Sequence, residues 1–202
     1  MTTTEFGAEV SAITPASFTF SLGDDAALMP RTVAIAESWH ALLEVNYERL
    51  ARWFPGFDNP PTPEGTRADL EQSGRAWLEG SQLPLAIAVR AGETWRLVGA
   101  VTLLIDGPRQ SGEVGYWVDA DFEGFGLVTR AVTAVLDHAF GPLGLHRVEL
   151  RTNPTNSRSR RVADRLGFTQ EGVLREAAAF PDEWRDEVVY GLLVGEWSVA
   201  TN

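Results

Sequence analysis

The stretch from Glu113 to Phe140 constrains the fold of this chain more than any other. In Glu113-Val-Gly-Tyr-Trp-Val-Asp119 the residues alternate, with Val114, Tyr116 and Val118 on one face, as in a half-buried strand. Then comes Gly124-Phe-Gly126. Directly behind it Leu127, Val128, Ala131, Val132, Val135, Leu136, Ala139 and Phe140 recur at helical spacing, up to the stop at Gly141-Pro142. A strand that passes through a Gly-x-Gly turn into a strong helix gathers backbone N–H groups and the positive end of a helix dipole at one point. Such a point suits a pyrophosphate. The same turn also serves chain geometry alone, and both readings stand at this stage. A dinucleotide fingerprint fits poorly: the third glycine position holds Thr129, and the strand Arg147–Thr152 carries no acidic residue at its end for a ribose.

Around this centre the elements follow in order. A β-like stretch, Ser17–Leu22, precedes the turn Gly23-Asp24-Asp25, and residues 1–16 are expected to form a poorly ordered or loosely attached segment. Val33, Ala36, Trp39, Leu43, Tyr47, Leu50 and Phe54 mark an amphipathic helix that Pro55-Gly56 stops. A second helix is predicted from Glu64 to Glu79, after Thr62-Pro63. Leu85–Val89 and Trp95–Ile105 read as a hairpin around Ala91-Gly92-Glu93. Beyond the glycine helix lie a strand at Arg147–Thr152, a short arginine-studded helix at Asn156–Leu166, and two strands at 168–175 and 184–194. This order predicts one α/β (α+β) domain over residues 1–202, with helices on both faces of a mixed sheet.

Composition narrows the function. With 28 acidic against 17 basic residues the formal net charge is −11, which argues against nucleic acid as a partner. Every cation is arginine; lysine and cysteine are both absent. Disulfides, thiolate nucleophiles and cysteine-bound zinc are therefore excluded, and His40, His138 and His146 lack metal-ligand spacing. No apolar run is long enough for a membrane helix, and the start lacks a basic leader, so a soluble cytoplasmic protein is expected. The missing lysine has two readings: codon bias toward arginine, or exclusion because the chemistry modifies lysine.

A second segment adds direction: Asn156-Ser-Arg-Ser159 through Leu166-Gly167-Phe168. With Asn46, Trp53-Phe54-Pro55, the Glu113–Asp119 strand, the glycine turn, Asp186–Leu193 and Glu196-Trp197, it makes an ordered set. Over roughly Ser17 to Trp197 that set resembles the GNAT superfamily of acetyl-CoA-dependent N-acetyltransferases, and most of all its RimJ/RimL-like branch. The resemblance implies a mostly antiparallel sheet of six to seven strands with a splayed central pair. It implies acetyl-CoA as cosubstrate, no metal, a primary-amine acceptor (a protein N-terminus or a small cationic amine) and a homodimer. By the same resemblance the pantetheine arm would meet Trp117, Val118 and Asp119. The pyrophosphate would meet Gly124, Phe125, Gly126, Leu127, Val128 and Thr129, with Asn156 and Arg158 also on the cofactor. Ser159 is implied as the acid that protonates the leaving thiolate, because the tyrosine that many members carry seven residues after the asparagine is Ala163 here.

Each role has a plainer alternative. Ser157 or Ser159 can cap the short helix. Glu113, chosen as the base that deprotonates an ammonium acceptor, can be a surface glutamate of an edge strand. Arg158, Arg160, Arg161 and Arg165 can face CoA phosphates or pair with nearby carboxylates. The turn departs from the family pattern at Glu123, where Gln or Arg is usual, and at Phe125 and Val128. Glu123 and Ala163 keep a non-catalytic acyl-CoA binder open as the alternative. Trp39, Trp53, Phe54, Phe57, Phe180 and Trp184 either line an acceptor pocket or pack, with packing favoured for Trp39 and Phe54.

Overall fold

In the computed structural model, which describes residues 20–197, the strand-forming segments join one sheet. Its strands are β1 (Phe20–Ser21), β2 (Ala26–Pro30), β3 (Gln82–Ala91), β4 (Thr94–Asp106), β5 (Ser111–Val118), β6 (Arg147–Thr152), β7 (Thr169–Ala179) and β8 (Trp184–Leu193). They lie in the order β1-β2-β3-β4-β5-β6-β8-β7, and every neighbouring pair is antiparallel except β5 and β6. The helices α1 (Ala36–Trp53) and α2 (Pro63–Leu78) cover one face, and α3 (Leu127–Phe140) and α4 (Ser157–Arg165) the other. Among the described residues no helix is long and apolar enough to cross a membrane.

The helix α3 and the strand β6 span the residues predicted for them. The sheet has eight strands rather than six or seven, because β2 escapes a pattern search. In Ala26-Ala27-Leu28-Met29-Pro30 both faces are buried, Leu28 in the α3 core and Met29 in the α1 core. A five-residue apolar run therefore shows no period. Of the expected Ser17–Leu22 strand, Phe20–Ser21 is β1; residues 17–19 and the expected loose segment 1–16 lie outside the described residues. Val33, placed on the helical face by periodicity, sits instead in a 3-10 turn before α1 and is 42% exposed.

Two apolar clusters hold the layers. On one side Trp39, Leu42, Leu43 and Leu50 of α1 and Leu70 of α2 pack on Ala86, Ala88, Leu97 and Ala100. On the other, Leu127, Ala131, Val132, Val135, Leu136 and Ala139 of α3 pack on Val98, Val101, Leu103, Val114, Val148 and Leu150. Each buried large aliphatic side chain contributes about 1.5–3 kcal/mol. A bulge in β4 makes both clusters possible. Ile87 pairs with Gly99 and Ala88 with Leu97, so Val98 is an extra residue that shifts the alternation by one.

On the α1 and α2 face the helical cover ends at β5. On β6, Val148, Leu150 and Thr152 face the core, while Arg147, Glu149 and Arg151 face the side that α1 and α2 do not reach. There they form an ion-pair ladder. Arg151 meets Glu113 at 3.4 Å and Glu149 at 3.1 Å, and Arg147 meets Glu149 at 3.0 Å and also Glu171.

Candidate active site

The site is built where β5 loses its neighbour. β5 pairs with β4 along its whole length, from Ser111 opposite Asp106 to Val118 opposite Gly99. With β6 it pairs only at Ser111, Gly112 and Glu113. Past Glu113 the two parallel strands diverge, as the splayed pair implied by the resemblance does. Strand alternation decides which peptide groups face the gap. The Asp119 N–H donates to the Val98 carbonyl at 2.7 Å, which turns Asp119 N–H and the Trp117 peptide groups toward β4. The N–H and C=O groups of Tyr116 and Val118 therefore face the open edge. Of Trp117, Val118 and Asp119, Val118 is the residue that presents its peptide groups to the gap. Trp117 instead sends its ring to the α1 face, 5.6 Å from that of Trp39.

At the end of β5 the chain enters the turn. Asp119 is buried; its carboxylate accepts from Asn46 Nδ2 and from the Asp121 N–H, both at 3.0 Å. Its work is to tie the turn to α1, since a buried carboxylate must have its donors. Gly124 and Gly126 have φ of +84° and +73°, left-handed values that side chains resist. A Cβ at either would meet nothing within 4 Å, so the space over the turn is open. The helix α3 starts at Gly126 with no side-chain cap, and its first N–H groups have no helical acceptor. Leu127 buries its side chain in the core, Val128 is half-buried, and Phe125 is 70% exposed. What the segment 124–129 offers is thus an open arc of backbone donors, and it fits a diphosphate.

Glu123, the acidic departure from the family turn, is bracketed by two cations. Its carboxylate pairs with Arg49 of α1 and with Arg158 of α4. Arg49 also donates to Asn46 Oδ1 at 3.0 Å and to the Val118 carbonyl at 3.4 Å. The carboxylate of Glu123 is thus doubly paired and joins α1 to α4 across the turn. The other arginines of α4 are occupied differently. Arg160 donates to the Tyr190 hydroxyl at 3.0 Å, and Arg165 to Thr129 Oγ1 at 3.3 Å. Of the four, Arg158 makes the pairing with a carboxylate.

At the start of α4 the cap is Asn156, whose Oδ1 accepts from the Ser159 N–H at 3.1 Å. The capping alternative for Ser157 or Ser159 is thereby corrected, and the Ser159 hydroxyl is left for another partner. That partner is Tyr116: its Oη lies 3.0 Å from Ser159 Oγ and 3.3 Å from the Ser159 carbonyl oxygen. Burial holds the Tyr116 phenol well above its usual pKa, the Ser159 hydrogen bond lowering it and Tyr190 adding to the rise.

Glu113 lies at the last paired position, half-buried on the opposite face. Its pKa is raised, first by burial; Arg151 pulls it down, and Glu187 and Glu149 push it up. Of the aromatic residues weighed for an acceptor pocket, Trp39, Phe54 and Phe57 belong to the α1 core. Phe180 lies under Arg185 at 3.8 Å, and Trp184 is 63% exposed. Sequence reasoning did not single out the Tyr116 hydroxyl, Arg49 or Arg151. Alternation carried a signal for Tyr116 and helical spacing from Asn46 one for Arg49; their partners come from distant segments.

Residues 30–169 match the acetyltransferase (GNAT) domain family. The chain belongs to the GNAT acetyltransferase family. It is 32% identical over 168 residues to the "Putative ribosomal N-acetyltransferase YdaF" of Bacillus subtilis, a match that covers 80% of this chain and 87% of the relative. A crystal structure of a "Probable acetyltransferase" superposes with a TM-score of 0.83 at 28% identity, covering 90% of this chain and all of the other. The microcin C7 self-immunity acetyltransferase MccE, solved with acetyl-CoA and AMP, has a TM-score of 0.78 at 25% identity, covering 85% and 94%. This GNAT protein is an acetyl-CoA-dependent N-acetyltransferase of the RimJ/RimL type. Its cosubstrate is acetyl-CoA.

Proposed function

We propose that this acetyltransferase modifies the α-amine of a protein N-terminus, with small cationic amines as the competing acceptor class, by direct transfer from acetyl-CoA. The similarity to a relative named as a ribosomal N-acetyltransferase supports the protein acceptor. The acidic balance of the chain suits either cationic acceptor. One observation carries the chemistry: a serine hydroxyl released from capping, beside a buried phenol, at the mouth of the open β5 edge.

In this reading the N–H groups of residues 124–129 bind the pyrophosphate, with Asn156 and Arg158 beside them, and the arm of the cosubstrate follows the open edge at Val118. N–H groups along that edge stabilise the oxyanion that develops on the acetyl carbonyl. Glu113 takes a proton from the ammonium acceptor, directly or through water, and its raised pKa brings it toward working pH. The neutral amine attacks, the C–S bond breaks, and Ser159 protonates the departing sulfur. The second proton of the attacking nitrogen leaves to water, which returns a proton to Ser159. A homodimer and a cytoplasmic location complete the reading; the exposed strand β7 at the sheet edge supports the first.

The decisive experiment follows thiol release from acetyl-CoA against peptides with free Ala, Ser, Thr or Met N-termini and against ethanolamine and putrescine, with mass spectrometry of each hit. Ser159→Ala is expected to lower kcat by on the order of 10–10⁴-fold with KM for acetyl-CoA changed less. An unchanged kcat removes Ser159 as the acid.

A further inference from the structure

A serine hydroxyl is a far weaker acid than a thiol, so handing its proton to a thiolate is uphill, and a hydrogen-bond donor to that oxygen lowers the cost. Within α4 the Ser159 Oγ has no capping duty, because Asn156 supplies the cap. The group that reaches it comes from β5: Tyr116 Oη at 3.0 Å. The phenol has a single proton and two acceptors on the same residue, Ser159 Oγ at 3.0 Å and the Ser159 carbonyl oxygen at 3.3 Å. These acceptors define two arrangements. If the phenol donates to the carbonyl, the serine proton can be engaged on the phenol oxygen. If the phenol donates to Oγ, the serine proton is free to point at the leaving sulfur.

We propose that Tyr116 is a positioning residue that acts through Ser159, its phenol turning from the Ser159 carbonyl to Ser159 Oγ as the serine proton passes to the CoA sulfur. This rests on the reading of Ser159 as the acid. In the step the C–S bond breaks, its electron pair stays on sulfur, and sulfur takes the Oγ proton. As the Oγ proton leaves, Oγ takes one from a water that in turn accepts the second proton of the attacking nitrogen, so no alkoxide is left beside the phenol. The phenol keeps its own proton while donating a hydrogen bond to Oγ. Burial suits the role: a phenol held above its usual pKa stays an O–H donor throughout the working pH range. Tyr190, with its hydroxyl engaged by Arg160 at 3.0 Å, adds to the disfavour of a tyrosinate.

The test is a double-mutant cycle on thiol release, using the best acceptor of the panel above. Tyr116→Phe, which removes one oxygen from a buried ring, is expected to lower kcat by on the order of 10–100-fold with KM for acetyl-CoA within about twofold. In a Ser159→Ala background the same change is expected to alter kcat by less than about twofold, since the group it serves is gone. A merely structural tyrosine would cost the same factor in both backgrounds, and that result, or an unchanged kcat in Tyr116→Phe, overturns the proposal. Full activity in Ser159→Ala alone overturns the parent reading instead. Should Tyr116→Phe not fold, 3-fluorotyrosine at position 116 keeps the shape and strengthens the donor. It is expected to raise the single-turnover rate, and a lowered rate overturns the proposal.

Discussion

The two edges of β5 are made of the same eight residues and do opposite things. Toward β4 the strand is closed at every position, and closed tightly. A Cβ on Gly99 would stand 2.3 Å from the Trp117 carbonyl oxygen, and one on Gly112 would stand 2.9 Å from that of Leu104. Toward β6 it is closed for three residues and then open. The closed edge joins the helix-covered N-terminal half of the sheet to the centre. The open edge leaves peptide groups without a strand partner; the Val118 carbonyl meets Arg49, and the rest fall to water or a ligand. Backbone pairing is thus concentrated on one side of the strand, and the proposed chemistry uses the other.

Substitutions should separate the two. Gly99→Val should have the largest effect, about 3 kcal/mol or more of lost stability in urea unfolding, because backbone rather than a flexible side chain blocks the Cβ. Retained stability would show that the closed edge is looser than described. Gly126→Ala comes next, at about 1 kcal/mol for a left-handed position, with a raised KM for acetyl-CoA as its more telling readout. Gly115→Ala should cost within about 0.5 kcal/mol and can even stabilise by restricting the unfolded chain. A loss comparable to that of Gly99→Val would show that the face over Gly115 is not open.

The subtlest effects concern Glu113, at the point where the edge opens. Because its pKa is raised on folding, mainly by burial, its protonated form favours the folded state. That contribution is full below the ordinary carboxylate range and is lost as pH rises through the folded pKa. Glu113→Gln should therefore be slightly more stable than wild type at neutral pH, with the difference vanishing in acid, as thermal unfolding across pH would show. Arg151 holds that pKa down, so Arg151→Ala should move the acidic limb of the kcat/KM profile to higher pH. A limb that stays in place would take Glu113 out of the role of base.

The centre of the fold was legible because local physics dominates there. α3 and β6 were read residue for residue, since each has one buried and one exposed face and so displays its period. β2 was missed for the converse reason, being buried on both faces. Glu123 looked like a defect of the cradle when read in isolation. It turned out to be held between Arg49 and Arg158, some 74 and 35 positions away in opposite directions along the chain. The cap at Asn156 and the hydroxyl of Ser159 were both named from the chain, yet which one served the helix depended on three-dimensional geometry.

Periodicity, turn chemistry and the ordered motifs are properties of neighbouring residues, and they were enough to establish the α/β layering, the glycine turn and the family. Those signals act over a few residues, the range over which a helix or strand repeats. The open edge of β5, the Tyr116–Ser159 pair and the ladder that perturbs Glu113 join residues separated by tens of positions. Such pairings exist only once two apolar clusters have fixed the strands on either side of the gap, so tertiary packing alone decided them.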